Sequence, residues 1–177
     1  MYYNKETNTL DICWYFNEKL KNIPEDTKNI IFDNDSIFNH KIDIFPQNLT
    51  HLTFGEDFNQ KVNILPKNLI YLTFGEMFNQ KIDNLPKNLT CLVFGCSFNQ
   101  KVNNLPKTIK KLSLFNCNNL INNIPKYIEN INIKFCCNQK VENLPSTLKE
   151  IIIDHEINKK YIKKPFGCIL TIKKLNN

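Results

Sequence analysis

The sequence predicts a β-rich solenoid: a right-handed coil with one parallel β-sheet, repeats of about 20 residues and little or no helix. Three observations carry this prediction. All eight prolines fall in one series, Pro24, Pro46, Pro66, Pro86, Pro106, Pro125, Pro145 and Pro165, at steps of 22, 20, 20, 20, 19, 20 and 20 residues. Apolar residues recur at fixed offsets from each proline. One block is written three times, as LTFGEDFNQKV (52–62), LTFGEMFNQKI (72–82) and LVFGCSFNQKV (92–102).

The elements follow in order along one repeat. Proline fixes its own φ and lacks an N–H, so it belongs in the bend before a strand. Three residues on comes an apolar residue (Leu49, Leu69, Leu89, Ile109, Ile128, Leu148). Residues six and eight on, such as Leu52 and Phe54, lie two apart and share one face of a short strand. Gly55, Gly75 and Gly95 are expected to close the strand where a turn begins. Phe58, Phe78 and Phe98 then stack as an aromatic spine, and Asn59, Asn79 and Asn99 form a ladder that satisfies backbone groups at the turn. Val62, Ile82, Val102 and Val141 line the extended return. A helix needs apolar intervals of three and four sustained over about ten residues, and this unit leaves no room for one.

The whole chain reads as a single repeat domain of about eight coils, roughly 4–23, 24–45, 46–65, 66–85, 86–105, 106–124, 125–144 and 145–164, with a terminal strand in 165–177. In the first coil Asn4 takes the place of proline, and Leu10, Ile12 and Phe16 fall in register. The coil at 106–124 is irregular: the second Phe is lost, and Asn118 and Asn119 occupy its region. In the next coil Cys137 stands where Phe would, before Asn138. Each coil holds roughly six apolar residues that it cannot bury alone, so stacking is the dominant stabilising term, at about 1.5–3 kcal/mol per large side chain.

Composition narrows the class further. No apolar run approaches a membrane span, and the N-terminus lacks the basic opening and apolar core of a signal peptide. Seven cysteines, none in a Cys-x-x-Cys pair, fit reduced thiols in the cytoplasm, with a nuclear setting also open. Arg and Ala are absent, so the formal net charge of +6 rests on Lys alone. An AT-rich coding sequence explains that bias.

The Phe-Asn pairs (Phe16-Asn17, Phe38-Asn39, Phe58-Asn59, Phe78-Asn79, Phe98-Asn99) and the Ile/Leu-Pro steps (Ile23-Pro24, Leu65-Pro66, Leu85-Pro86, Leu105-Pro106, Ile124-Pro125, Leu144-Pro145) carry a family resemblance. The chain resembles the FNIP-repeat family, a leucine-rich-repeat-like group of social amoebae and of giant viruses that infect amoebae. The resemblance implies a leucine-rich-repeat-like coil with a concave strand face that binds protein. Some members carry an F-box before the repeats, which implies substrate recognition in ubiquitin ligation. No F-box segment is read in this sequence, so a related recognition module and a decayed remnant of a longer F-box protein both stay open.

Side chains on the other face of each strand are free to vary. The candidate partner-binding residues are His51, Thr53, Tyr71, Thr73, Cys91, Val93, Lys111, Ser113, Asn130 and Glu150, with Asn132 and Ile152 on the same face. From His51 to Val93 this face has no formal charge, which suits a protein or peptide partner of a non-catalytic scaffold. The alternative is a polyanion, nucleic acid or an anionic membrane, on the row Lys19, Lys41, Lys61, Lys81, Lys101, Lys140 and Lys160, with neighbours about 4.7–5 Å apart at sheet spacing. Core-placed aromatics and the lack of Arg disfavour nucleic acid.

Cys96, Cys117 and Cys136 recur at similar offsets and are expected as small apolar filler rather than as metal ligands, since a file of thiols does not converge tetrahedrally. His40, His51 and His155 sit in different coils, and consecutive Asp154-His155-Glu156 point to opposite faces of a strand, so no catalytic set is read. No cofactor or metal is expected. With no cap read before Asn4, end-to-end self-association is expected.

Overall fold

Two turns and one strand make each coil. In the first turn the proline carbonyl accepts from the N–H three residues on, as in Leu49 N to Pro46 O (3.2 Å), Ile109 N to Pro106 O (3.0 Å) and Cys168 N to Pro165 O (3.2 Å). The proline needs no donor there, and the apolar residue at the turn's end is driven inward. Leu49, Leu69, Leu89, Ile109 and Ile128 are all fully buried. The second turn follows the strand, as in Phe58 N to Gly55 O (3.4 Å). The computed structural model describes residues 1–102, 104–115, 124–134 and 140–173. Cys117, Asn118, Asn119, Cys136, Cys137 and Asn138 lie outside the described residues.

Among those residues the strands form one sheet of ten, in chain order. They are β1 (Tyr2–Asn4), β2 (Thr9–Ile12), β3 (Asn29–Phe32), β4 (His51–Thr53), β5 (Tyr71–Thr73), β6 (Cys91–Phe94), β7 (Lys111–Leu114), β8 (Asn130–Ile133), β9 (Glu150–Ile153) and β10 (Ile169–Ile172). From β2 to β10 every pairing is parallel, and residues at equal repeat offsets are partners: Leu52 with Leu72, Leu72 with Leu92, Leu92 with Leu112. One short 3-10 helix, Glu156–Tyr161, is the described helical element. The architecture is thus the parallel-sheet solenoid expected, with almost no helix.

Within a core otherwise of Leu, Ile and Val, two aromatic columns run face to face through the first five coils. Phe16, Phe38, Phe58, Phe78 and Phe98 stack at 6.1–6.2 Å between ring centroids. Phe32, Phe54, Phe74 and Phe94 form the strand column at 5.6–5.7 Å. Within a coil the two rings lie 3.7 Å apart and nearly parallel in Phe54–Phe58, Phe74–Phe78 and Phe94–Phe98, and 4.7 Å apart and tilted in Phe32–Phe38. Along the columns, at 5.6–6.2 Å, aromatic pairs of this kind add about 0.5–1.5 kcal/mol each beyond area burial.

The amide ladder is present and explains why Gln is repeated with Asn. Asn59 N donates to Asn39 Oδ1 (2.9 Å), Asn79 N to Asn59 Oδ1 (3.0 Å) and Asn99 N to Asn79 Oδ1 (2.9 Å). Each acceptor takes a second donor from the next coil: Gln60, Gln80 and Gln100 Nε2 reach Asn39, Asn59 and Asn79 Oδ1 at 3.0 Å. The turn has no strand partner, so side-chain oxygens satisfy its N–H groups instead.

One expectation changes, that of the N-terminus. Gly55, Gly75 and Gly95 do stand where the second turn begins, without positive φ. A Cβ on Gly75 would lie 2.0 Å from Gly55 O, and one on Gly95 would lie 2.2 Å from Gly75 O. Neighbouring backbones meet at this column, and only hydrogen fits between them. The first strand pair is antiparallel, Tyr2 opposite Asp11 and Asn4 opposite Thr9, so a hairpin strand does precede the first coil and covers β2. Asn4 does not act as a proline surrogate but turns the hairpin, its Oδ1 accepting from Glu6 N (2.9 Å) and Thr7 N (3.3 Å). Under that hairpin Leu10 and Ile12 are buried like their counterparts deep in the stack. The rings of Phe58, Phe78 and Phe98 lie 6.1–6.2 Å apart between centroids, wider than sheet spacing.

Candidate interaction surface

Parallel register turns the outward strand positions into two files. The first runs Asn29, His51, Tyr71, Cys91, Lys111, Asn130 and Glu150. The second runs Asp11, Ile31, Thr53, Thr73, Val93, Ser113, Asn132 and Ile152. All ten candidate residues therefore stand on one face, adjacent in space though far apart in sequence. Tyr71 and Lys111 are exposed; His51, Thr53, Thr73, Cys91, Val93, Ser113, Asn130 and Glu150 are half-buried by their neighbours in the file.

The chemistry along the first file varies. The His51 ring stacks on Tyr71 at 4.4 Å, and its Nδ1 lies 2.9 Å from Thr50 Oγ1. Burial holds the His51 imidazole below its ordinary pKa, favouring the neutral ring. Burial likewise pushes the Cys91 thiol up, against a smaller opposing pull from Lys111. The stretch from His51 to Val93 is therefore uncharged and part aromatic. Glu150 is tied into the file, accepting from Asn130 Nδ2 (3.4 Å) and Thr171 Oγ1 (2.9 Å).

Two features escaped the sequence reading. The face extends to Ile31, 41% exposed and directly beside Thr53. Its offset of seven from Pro24 matches that of Thr53 from Pro46, so the signal was present. A second ridge lies after the strands, where Trp14, Tyr15, Ile37 and Met77 are exposed near Asp33, Asp35, Glu56, Asp57 and Glu76. Asp33 Oδ2 accepts from Trp14 N (2.9 Å) and Glu76 Oε2 from Cys96 N (3.0 Å). Cys96 is on this ridge and exposed, so it is not apolar filler; the turn carries it outside the Phe column.

The lysines of the row, Lys19, Lys41, Lys61, Lys81, Lys101, Lys140 and Lys160, are all exposed. Lys41 pairs with Asp43 at 2.9 Å, which pulls the Asp43 carboxyl below its usual range. A groove of about 700 Å³ opens beside Lys19 and Lys41, floored by Leu20, Ile23 and Phe45. It falls where the 22-residue coil carries two extra residues. The histidines are occupied singly: His40 Nε2 lies 2.9 Å from Asn17 O, His51 stacks as above, and His155 is exposed beside buried Asp154. No cluster of His, Cys, Asp and Glu fit for a metal occurs among the described residues, and no described helix is long and apolar enough to cross a membrane.

This geometry defines a parallel β-solenoid of short stacked repeats. The FNIP repeat model matches residues 38–77 and 78–117, so those two stretches are similar to FNIP repeats. The fold is also similar to a crystal structure described as CroV588, a novel circular LRR protein, with 26% sequence identity, a TM-score of 0.63 and 93% of this chain covered. The present chain spans 33% of that protein. No curated protein matches.

Proposed function

We propose that the chain is a non-catalytic scaffold that binds a protein or peptide on its strand face. The observation behind this reading is the contrast between the two faces of one sheet. Inward positions repeat almost unchanged, Leu52, Leu72, Leu92 and Leu112 being stacked partners. The outward partners His51, Tyr71, Cys91 and Lys111 differ at every step. Stacking requires uniformity inside but imposes none outside, so the varied face is where specificity can be written. The similarity to FNIP repeats and the leucine-rich-repeat-like fold support the same reading. The contact would centre on His51, Tyr71, Cys91 and the β-branched Thr53, Thr73 and Val93, an uncharged patch of the kind found at interface cores.

Affinity capture comparing the wild type with Tyr71→Glu/Val93→Glu tests this. The double variant keeps the core, since both residues lie on the outward files. Loss of the partners recovered by the wild type is the expected result. Recovery of the same partners by both proteins would remove the strand face as the site.

A further inference from the structure

Charge is unevenly divided between two edges of the coils that carry the repeated block. In coils three and four every carboxylate but Asp83 stands after the strand, at Glu56, Asp57 and Glu76, and the coil at 86–105 has none. On the return side stand two files of exposed lysine: Lys61, Lys81 and Lys101 at the end of the amide ladder, and Lys67, Lys87 and Lys107 just after the prolines. None of these six lysines takes part in the ion pairs found among the described residues, which join Lys41 to Asp43, Lys110 and Lys149 to Glu129, and Lys159 to Glu156. A coding bias toward Lys raises their number but does not set the acids on the opposite edge.

The return side is also grooved. A depression of about 430 Å³ lies between Lys61 and Lys81, lined by Asn79, Gln80 and Gln100, and one of about 410 Å³ lies between Lys81 and Lys101. Asp83 is the single carboxylate in their linings. The walls are held in place, because Gln80 and Gln100 are fixed by Asn59 and Asn79 Oδ1. Lysines therefore recur once per coil beside rigid polar grooves.

We propose that this face binds a linear polyanion whose charges repeat along its backbone and which carries no bases, of the inorganic polyphosphate class. Lysine offers point charges that follow a flexible anionic chain without demanding planar, bidentate geometry. The described aromatics of these coils are stacked in the core or stand on the strand face and acidic ridge, so no platform for bases lies beside the lysines. The site is independent of the strand face and stands or falls separately from it.

Inorganic polyphosphate is titrated against the intact protein over a range of salt. Lys61→Gln/Lys81→Gln/Lys101→Gln is compared with the control Lys5→Gln/Lys28→Gln/Lys173→Gln, which removes equal charge from exposed sites elsewhere. Thermal melts check that both remain folded. Binding should weaken steeply with salt, and the row variant should lose about tenfold or more and flatten the log–log slope by about 2, against about threefold or less for the control. Equal losses in both variants would reduce the effect to net charge and overturn the proposal. So would absence of binding at low salt, or tighter binding of an oligothymidylate of equal charge, which would reassign the face to nucleic acid.

Discussion

Thr27 occupies the position three after Pro24, where later coils place Leu49, Leu69 and Leu89. It is wholly buried, and its Oγ1 has no hydrogen-bond partner among the described residues. Thr27→Val removes that hydroxyl at constant shape and should raise stability by about 1 kcal/mol in urea titration. His51 provides a pH test. Its folded pKa lies below the unfolded value because burial disfavours the imidazolium. Its contribution is therefore complete above the unfolded value, near 6.5, and is lost as pH falls through the folded value. Melting temperature should drop over that acid window, and His51→Phe should remove part of the drop while keeping the stack on Tyr71. Neither effect could be read from residue type alone: the first needed burial at an offset, the second needed the file neighbour.

At the scale of one coil, two columns act as spacers. Gly75→Ala forces a methyl against Gly55 O, a backbone atom that cannot swing aside. The cost should be about 3 kcal/mol or more, at the upper end for overpacking, and should appear as a lower denaturation midpoint. Asn79→Ala removes the side-chain acceptor of Asn99 N and one of two acceptors of Gln100 Nε2, which keeps Asn79 O at 3.2 Å, with a loss of about 0.5–1.5 kcal/mol. The Asn column was legible because an amide at a turn is the simplest answer to unpaired backbone groups. The glycine column was legible in position, while its further cause, the backbone oxygen of the neighbouring coil, was not, since a sequence shows that a Cβ is absent but not which atom replaces it. The opening hairpin was missed for a related reason. Leu10 and Ile12 fit the repeat so well that Asn4 was forced into register too, whereas its side chain is the hinge of an antiparallel pair.

Across the whole molecule, stability is a sum of nearest-neighbour interfaces. Phe78 touches Phe58, Phe74, Phe94 and Phe98, so Phe78→Ala should cost about 3–5 kcal/mol. Phe16→Ala, at a half-buried site stacked only on Phe38 in its column, should cost clearly less by the same denaturant assay. The solenoid itself was legible because one period governs nearly the entire chain, while the uneven division of acids and lysines between two edges emerged only once each turn had a place. The equal spacing of Leu65-Pro66 and Leu85-Pro86 has one more consequence. Excising 66–85 joins Leu65 to Pro86 and recreates the junction already present, so Phe58 meets Phe98 and Gly55 meets Gly95 in the same attitude. That shortened chain should fold into a stubbier rod with one strand fewer, whereas removing 66–75 alone should not fold. Length here behaves like the number of links in a chain, adjustable by whole coils wherever the junction repeats.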